Sequence, residues 1–395
     1  MSSRRTLEKA EERLLPLIQY EGGDVGLGWR GRAFLWLLAR LSGIYRAVAT
    51  SRLYLYQRDI FNRAHFGCLI VSVGNVTVGG TGKTPMVELL AKALVKEGRK
   101  VAILSRGYRK KEKSFWQKLT GRFKSGDTAE GQPRVVSDGK RVLLDSEMSG
   151  DEPFMLAANV PEAVVIVDKN RVKSGRLAIR KFGCDILLLD DGFQYQKFPH
   201  RDTRDIVLVD STNPFGNGAC LPRGILREPA KNISRAKYVC ITKSKGRDNT
   251  ALRERIKRLN PAAEIMECSH EPCEIVNAFT HERLPLSSLS GLKVLALSGI
   301  ASPRSFESLL ENLGSEIIDR CRYADHHRFS EQETIDTVNA AQAAGCDAVL
   351  TTEKDAVRMT LRSAPPIPVH FLRIEIRFLD GEETFHRFVR DIVSH

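Results

Sequence analysis

The stretch GNVTVGGTGKTP, residues 74–85, brings four glycines (74, 79, 80 and 82) up to Lys83 and Thr84. These residue types at this spacing can grip a polyphosphate. Glycines let backbone N–H groups approach phosphate oxygens, and a helix opening at Lys83 points the positive end of its dipole at them. Lys83 would reach the β- and γ-phosphates as the catalytic cation, and the Thr84 hydroxyl would sit on Mg2+. Thr77, Val78, Gly79, Gly80, Thr81, Gly82, Lys83 and Thr84 are therefore the candidate nucleotide-binding residues. The strict G-x-x-x-x-G-K-[ST] loop begins with glycine where Thr77 stands here, and partition-type ATPases place a second lysine where this chain has Val78. Stripped of function, the same residues make a glycine-rich turn before an ordinary helix.

Carboxylates supply the next chemistry. Asp190 and Asp191 end the apolar run Ile186–Leu189, at the carboxyl edge of a buried parallel strand, where ligands of open α/β sheets collect. That is the Walker B position, whose carboxylate holds Mg2+ directly or through water; an acidic strand end in a turn is the plain alternative. Gly150-Asp151-Glu152-Pro153 precedes a helix-like run. Its acids can cap that helix, and Asp151 can equally orient or deprotonate an attacking hydroxyl. Asp325-His326-His327 lacks the partner pattern of a metal site, so it reads either as an Asp-His pair tuning a base or as surface histidines. Thr351-Thr352-Glu353-Lys354-Asp355 closes an apolar strand and suits either ligand contact or a helix cap. The guanine-reading [NT]-K-x-D pattern fails at Thr242-Lys243-Ser244-Lys245, where the acid is missing.

A parallel sheet has to position these groups. The apolar run 69–73 feeds the glycine loop, a helix follows to Gly98, and short apolar runs then alternate with helical ones near 152–159 and 170–182. Strands apolar throughout and separated by helices imply a sheet covered on both faces. After a Gly- and Pro-rich loop at 213–229 the alternation resumes, with helices near 250–259, 303–314 and 331–344. The expected fold class is α/β: a P-loop NTPase-like parallel sheet with a second, smaller α/β/α unit. Its expected divisions are 1–66 for N-terminal amphipathic, membrane-associating helices, 67–230 for the P-loop core and 231–395 for the second α/β unit.

At 395 residues, 42% hydrophobic and 28% charged, the chain is of soluble globular composition, and its net charge of +13 leaves nucleic acid, an anionic membrane surface or a phosphorylated substrate as partners. No nucleic-acid recognition motif accompanies that charge. Eight cysteines without a C-x-x-C pair read as reduced thiols of a cytosolic protein. Residues 1–27 are charged and helix-compatible, without the apolar core of a cleaved signal peptide. Residues 28–66 mix aromatic and aliphatic side chains with seven arginines and one acid, Asp59. The uncharged run Ala33–Ala39 is far short of the roughly 20 residues a membrane span needs. Phe34, Leu37, Leu38, Leu41, Tyr45 and Val48 fall on one helical face, which can lie on a membrane with arginines meeting lipid phosphates, or can face a protein core. The basic insertion 109–134, with Phe115 and Trp116, is a solvated surface loop or a flap over a charged or lipid-bearing substrate.

Taken in order, SVGNVTVGGTGKTP, SRGYRK, GDEP, LLLDDGFQ, RDTRDIVLVD, NPFGNGACLPRGILREP, DHH and TTEKDAVR resemble the tetraacyldisaccharide 4'-kinases of lipid A biosynthesis, from about residue 28 to the end of the chain. The resemblance implies a membrane-associated P-loop kinase that uses Mg-ATP to phosphorylate the 4'-hydroxyl of lipid A disaccharide 1-phosphate. It also implies two α/β/α units with the site in the cleft between them. By position it implies Lys83 and Thr84 for phosphate and Mg2+, and Asp190 with Asp191 as the Walker B pair. Asp151 becomes the base acting with His326, Glu152 stands near the metal, and Arg106 of SRGY stands near phosphate. SRGYRK lacks the glycine many members carry after the tyrosine, whereas Ser or Thr is tolerated at the Thr77 position. Asp151 and His326 fall in different divisions of the chain and would meet only across the cleft. The resulting expectation is a monomeric kinase on the cytoplasmic face of a bacterial inner membrane, without nucleic acid. The alternative is a partition-type P-loop ATPase switch.

Overall fold

The computed structural model describes residues 28–107 and 132–394. The charged stretch 1–27, Tyr108 and most of the 109–134 insertion, with Phe115 and Trp116, lie outside the described residues. Close contacts divide the chain into two units, Met1–Leu104, Ala178–Ser269 and Arg377–His395 in the first, Ser105–Leu177 and His270–Ile376 in the second. Neither unit is contiguous, which differs from the consecutive blocks expected. Local apolar patterning reveals that a strand exists but not which strand it pairs with, so chain crossings are invisible to it.

The first unit begins with α1 (Trp29–Gln57) and β1 (Leu69–Asn75), followed by α2 (Lys83–Lys96) and β2 (Val101–Ser105). The second unit takes up β3 (Arg134–Asp138), α3 (Ser146–Ser149), α4 (Asp151–Asn159) and β4 (Val164–Val167). After α5 (Arg171–Phe182) come β5 (Ile186–Asp190), β6 (Thr203–Asp210), β7 (Tyr238–Thr242) and α6 (Thr250–Leu259) of the first unit. β8 (Glu264–Asn277) passes into the second unit, which continues with β9 (Arg283–Pro285), β10 (Lys293–Ser298), α7 (Pro303–Asn312) and β11 (Glu316–Arg322). Then follow α8 (Glu331–Ala343), β12 (Ala348–Thr352), α9 (Glu353–Ala356) and β13 (Val369–Asp380), and α10 (Glu382–Val393) closes the chain in the first unit.

In the first unit the strands run in the order β8-β7-β6-β1-β5-β2, all parallel. Every residue of β1 and β5 is buried, as strands covered on both faces must be. The central position of β1 brings its carboxyl end between those of β5 and β6, with Val73 opposite Asp190 and Asn75 opposite Leu208. Gly74 permits this edge to close: a Cβ there would stand 2.5 Å from Phe193 Cβ.

In the second unit β11, β10, β12 and β13 are parallel neighbours, and β8–β9 and β3–β4 pair antiparallel. Alternate residues point to opposite faces. Val294, Ala296, Ala348 and Leu350 join Phe306 and Leu310 of α7, whereas Leu295, Leu297 and Val349 join Val338 and Ala341 of α8. A helix thus covers each face. Ser330 opens α8 with a reciprocal capping box to Glu333.

Candidate active site

The loop after β1 is shaped by two glycines in left-handed backbone, Gly79 at φ 114° and Gly82 at φ 82°, the latter directly preceding α2. Added Cβ atoms at Gly79 and Gly80 would meet nothing within 4 Å, so this part of the loop is an open cradle at a helix N-terminus. Thr77 and Val78 anchor it. The Val78 N–H donates to Ile225 O at 2.8 Å, Arg227 N–H donates to Val76 O at 2.8 Å, and Thr77 bridges Leu226. Val78 N–H is thereby engaged within the protein; of the rest of the predicted set Gly79 and Gly80 are exposed, Gly82 and Lys83 half-buried, and Thr81 and Thr84 buried. Thr242, at the end of β7, donates to Thr81 O at 3.0 Å and ties the far side of the loop.

Lys83 Nζ lies 3.5 Å from Asn75 Oδ1 and 3.8 Å from Asp191 Oδ1. Thr84 is buried in the first turn of α2, and Asp190 is buried at the end of β5. Asp191 adopts φ 54°, and its two oxygens accept from Arg227 Nη1 at 2.8 and 2.7 Å. Two carboxylates and a hydroxyl are the hard oxygen donors that would suit Mg2+. Behind them the buried Glu228 carboxylate accepts from Gln194 (2.9 Å), Asn232 (2.8 Å) and Arg235 (2.6 Å), while Gln194 donates to Asn75 O at 2.7 Å. This network fixes the DDGFQ turn against β1. Its members Arg227, Gln194 and Glu228 escaped the sequence reading, because only the fold lays 225–228 along the glycine loop.

The second unit holds the other candidates. Asp151 is the first residue of α4, preceded by Gly150 at φ 94°. Its Oδ2 accepts from Arg358 Nε at 2.8 Å and its Oδ1 from Arg328 Nη2 at 3.1 Å. Arg358 Nη2 also lies 3.1 Å from His326 Nδ1. Asp151 and His326 are therefore brought together inside one unit through a shared arginine, not across two units as their sequence separation implied. Glu152 faces Lys354 at 3.6 Å, and Arg106 is exposed just past β2. Of the TTEKD segment, Thr352 caps α9, as the helix-cap alternative expects, and Asp355 is fully buried. Arg328 and Arg358 were not singled out from sequence; TTEKDAVR contains Arg358 but gives no sign that it faces Asp151.

A parallel sheet with a glycine loop at its central strand, Lys-Thr at the following helix and two aspartates on the neighbouring strand defines a P-loop NTPase-like α/β protein. The family model described as tetraacyldisaccharide-1-P 4'-kinase matches residues 34–394. The chain belongs to this family. A tetraacyldisaccharide 4'-kinase of Anaeromyxobacter sp. (strain Fw109-5) is 38% identical over 344 residues, 86% of this chain and 87% of that one. The Syntrophus aciditrophicus protein of the same name is 35% identical over 370 residues, covering 91% and 94%. A crystal structure of LpxK from Aquifex aeolicus in complex with ATP matches with a TM-score of 0.70 at 27% identity, covering 91% of this chain and 99% of that one.

Proposed function

We propose that the chain transfers the γ-phosphoryl group of ATP to the 4'-hydroxyl of a tetraacylated glucosamine disaccharide 1-phosphate, the lipid A precursor. The observation that carries this reading is the family match over residues 34–394 on a chain whose Gly-Lys-Thr loop forms an open phosphate cradle. Residues 79–84 bind the phosphates, and Lys83 draws charge from the transferring group. Thr84, Asp190 and Asp191 would hold Mg2+, and the family resemblance adds Glu152 as a further carboxylate and Arg106 as a phosphate contact. Bound Mg2+ supplies charge neutralisation on the phosphate oxygens. Asp151 accepts the proton of the 4'-hydroxyl as it attacks, with His326 orienting it.

The acceptor's acyl chains place the enzyme at a membrane, and its use of ATP places it on the cytoplasmic face. No helix among the described residues is long and apolar enough to cross a membrane. Supporting surface attachment, α1 leaves Phe34, Leu37, Leu41, Ile44 and Val48 exposed, at spacings of three and four residues. The protein works as a monomer in this reading. Phosphate transfer from radiolabelled ATP to the disaccharide 1-phosphate in mixed micelles tests the activity. Acceptor-independent ATP hydrolysis without transfer would instead favour a partition-type switch.

A further inference from the structure

We infer that Arg358 is a positioning residue that holds Asp151 and His326 on one guanidinium and fixes His326 as its neutral Nε2–H tautomer. The inference rests on the proposed roles of Asp151 and His326 in accepting the proton. Arg358 is 3% exposed. Nε donates to Asp151 at 2.8 Å, Nη1 to Gly299 O at 3.3 Å and Asp355 Oδ1 at 3.2 Å, and Nη2 reaches His326 Nδ1 at 3.1 Å. Arginine offers only donors and stays protonated in proteins. The hydrogen between Nη2 and Nδ1 therefore belongs to Arg358, Nδ1 is the acceptor, and a neutral imidazole with that nitrogen bare carries its proton on Nε2. Nε2 lies 3.9 Å from Asp325 Oδ2, which favours a proton on that side.

The guanidinium is itself fixed from behind. Asp355, with no exposed surface, accepts from Gly299 N–H at 3.0 Å and from Thr352 Oγ1 at 2.7 Å besides Arg358. Gly299 O also accepts the His326 N–H at 3.2 Å, so the histidine backbone, held at φ 62°, and the guanidinium hang on one carbonyl. A Cβ at Gly299 would stand 3.1 Å from Asp355 Oδ1, which accounts for glycine in that turn. Arg328, the other partner of Asp151, has a side chain 43% exposed against 2% for Arg358, so the buried arginine sets the carboxylate's orientation. Three nitrogens of a rigid fork are needed to serve Asp151, Gly299 and His326 together. A lysine keeps the charge beside Asp355 but cannot reach all three.

The test uses the full chain with 15N-labelled histidine, the His326 signals being assigned by their loss in His326→Ala. In the unsubstituted protein His326 should show a protonated Nε2 and a bare Nδ1; a protonated Nδ1 overturns the inference and requires no variant to fold. In Arg358→Lys the tautomer preference should be lost and kcat should fall about 10–100-fold, as for other residues that orient a reacting group, with KM for ATP changed less than about 2-fold. Adding Arg358→Lys to His326→Ala should cost much less than it does alone. An unchanged tautomer with unchanged kcat, or a fully multiplicative loss in the double variant, overturns the positioning role. Should Asp151→Asn and His326→Ala each retain wild-type kcat, the proposed proton-transfer role fails by itself, and the tautomer measurement alone decides whether Arg358 fixes His326.

Discussion

Lys83 has loose partners in the protein, Asn75 at 3.5 Å and Asp191 at 3.8 Å, and the Asp191 carboxylate is held more closely by Arg227, at 2.7 and 2.8 Å. Its ammonium is thus placed for phosphate without being tied down. Removing it should leave the fold intact and cost on the order of 10²–10⁵ in kcat, the range for an essential cation at a transferring phosphoryl group. Steady-state kinetics on a Lys83→Ala protein of wild-type melting temperature checks this, and near-normal kcat sinks the assignment. Asp151→Asn and His326→Ala should each lower kcat by about 10²–10⁴-fold with ATP affinity nearly kept, as for loss of general-base help. Because Arg358 joins the two side chains, the double variant should lose far less than the product of the single effects. A large loss of ATP binding in either single variant would reassign that residue to the nucleotide or its metal.

At the scale of elements, α1 carries two distinct faces. Ser42 donates to Cys220 O at 2.7 Å and Tyr45 to Arg227 O at 3.0 Å, which fastens one side of the helix to the loop that also braces the phosphate cradle. On another side Phe34 (39%), Leu37 (48%), Leu41 (43%), Ile44 (63%) and Val48 (63%) remain exposed. Replacing Phe34, Leu37 and Leu41 with Ser should therefore move the protein from membrane to soluble fraction in a vesicle sedimentation assay. Each apolar side chain so lost withdraws up to about 1.5–3 kcal/mol of burial in the bilayer interface. The melting temperature of the variant should stay near wild type; unfolding would mean that the stripe is core. Gly74 makes the opposite kind of demand, since Ala there forces its methyl within 2.5 Å of Phe193 Cβ. Gly74→Ala should cost about 1–3 kcal/mol in urea unfolding, the usual range for overpacking, and should weaken nucleotide binding as the DDGFQ turn shifts.

For the whole molecule, pH acts through a carboxylate that the chemistry does not use. Burial pushes the Asp205 carboxyl up to about 6, against the opposing pull of the Ser72 hydroxyl and the Arg235 guanidinium. The unfolded chain releases that proton near the ordinary aspartate value of about 3.9. Between these values the folded state binds a proton that the unfolded state has lost, so the contribution of Asp205 to stability is present below about 4 and is lost as pH rises through about 6. Asp205→Asn should flatten the dependence of the urea midpoint on pH across that window and raise the midpoint at pH 7 above wild type. An unchanged pH dependence would show that Asp205 titrates as an ordinary surface acid.

The sequence by itself determined the strands, the glycine loop, the Lys-Thr pair and the two aspartates that end β5, because each depends on local residue types: apolar β-branched runs, positive-φ glycines and a helix start. It also marked Asp151 and His326 through the short blocks GDEP and DHH. Only the tertiary structure decided what those residues meet. β8 and β13 change unit along their length, so Asp151 and His326 share a unit despite 174 intervening positions. Arg227, Arg328 and Arg358 are ordinary cations in a sequence with 61 lysines and arginines, and no periodicity separates these three, which bond the candidate carboxylates Asp191 and Asp151, from those that are merely solvated. The choice between core and open surface for α1 was likewise beyond the sequence. A 3.6-residue period shows that a helix has an apolar face, while what covers that face depends on elements far along the chain.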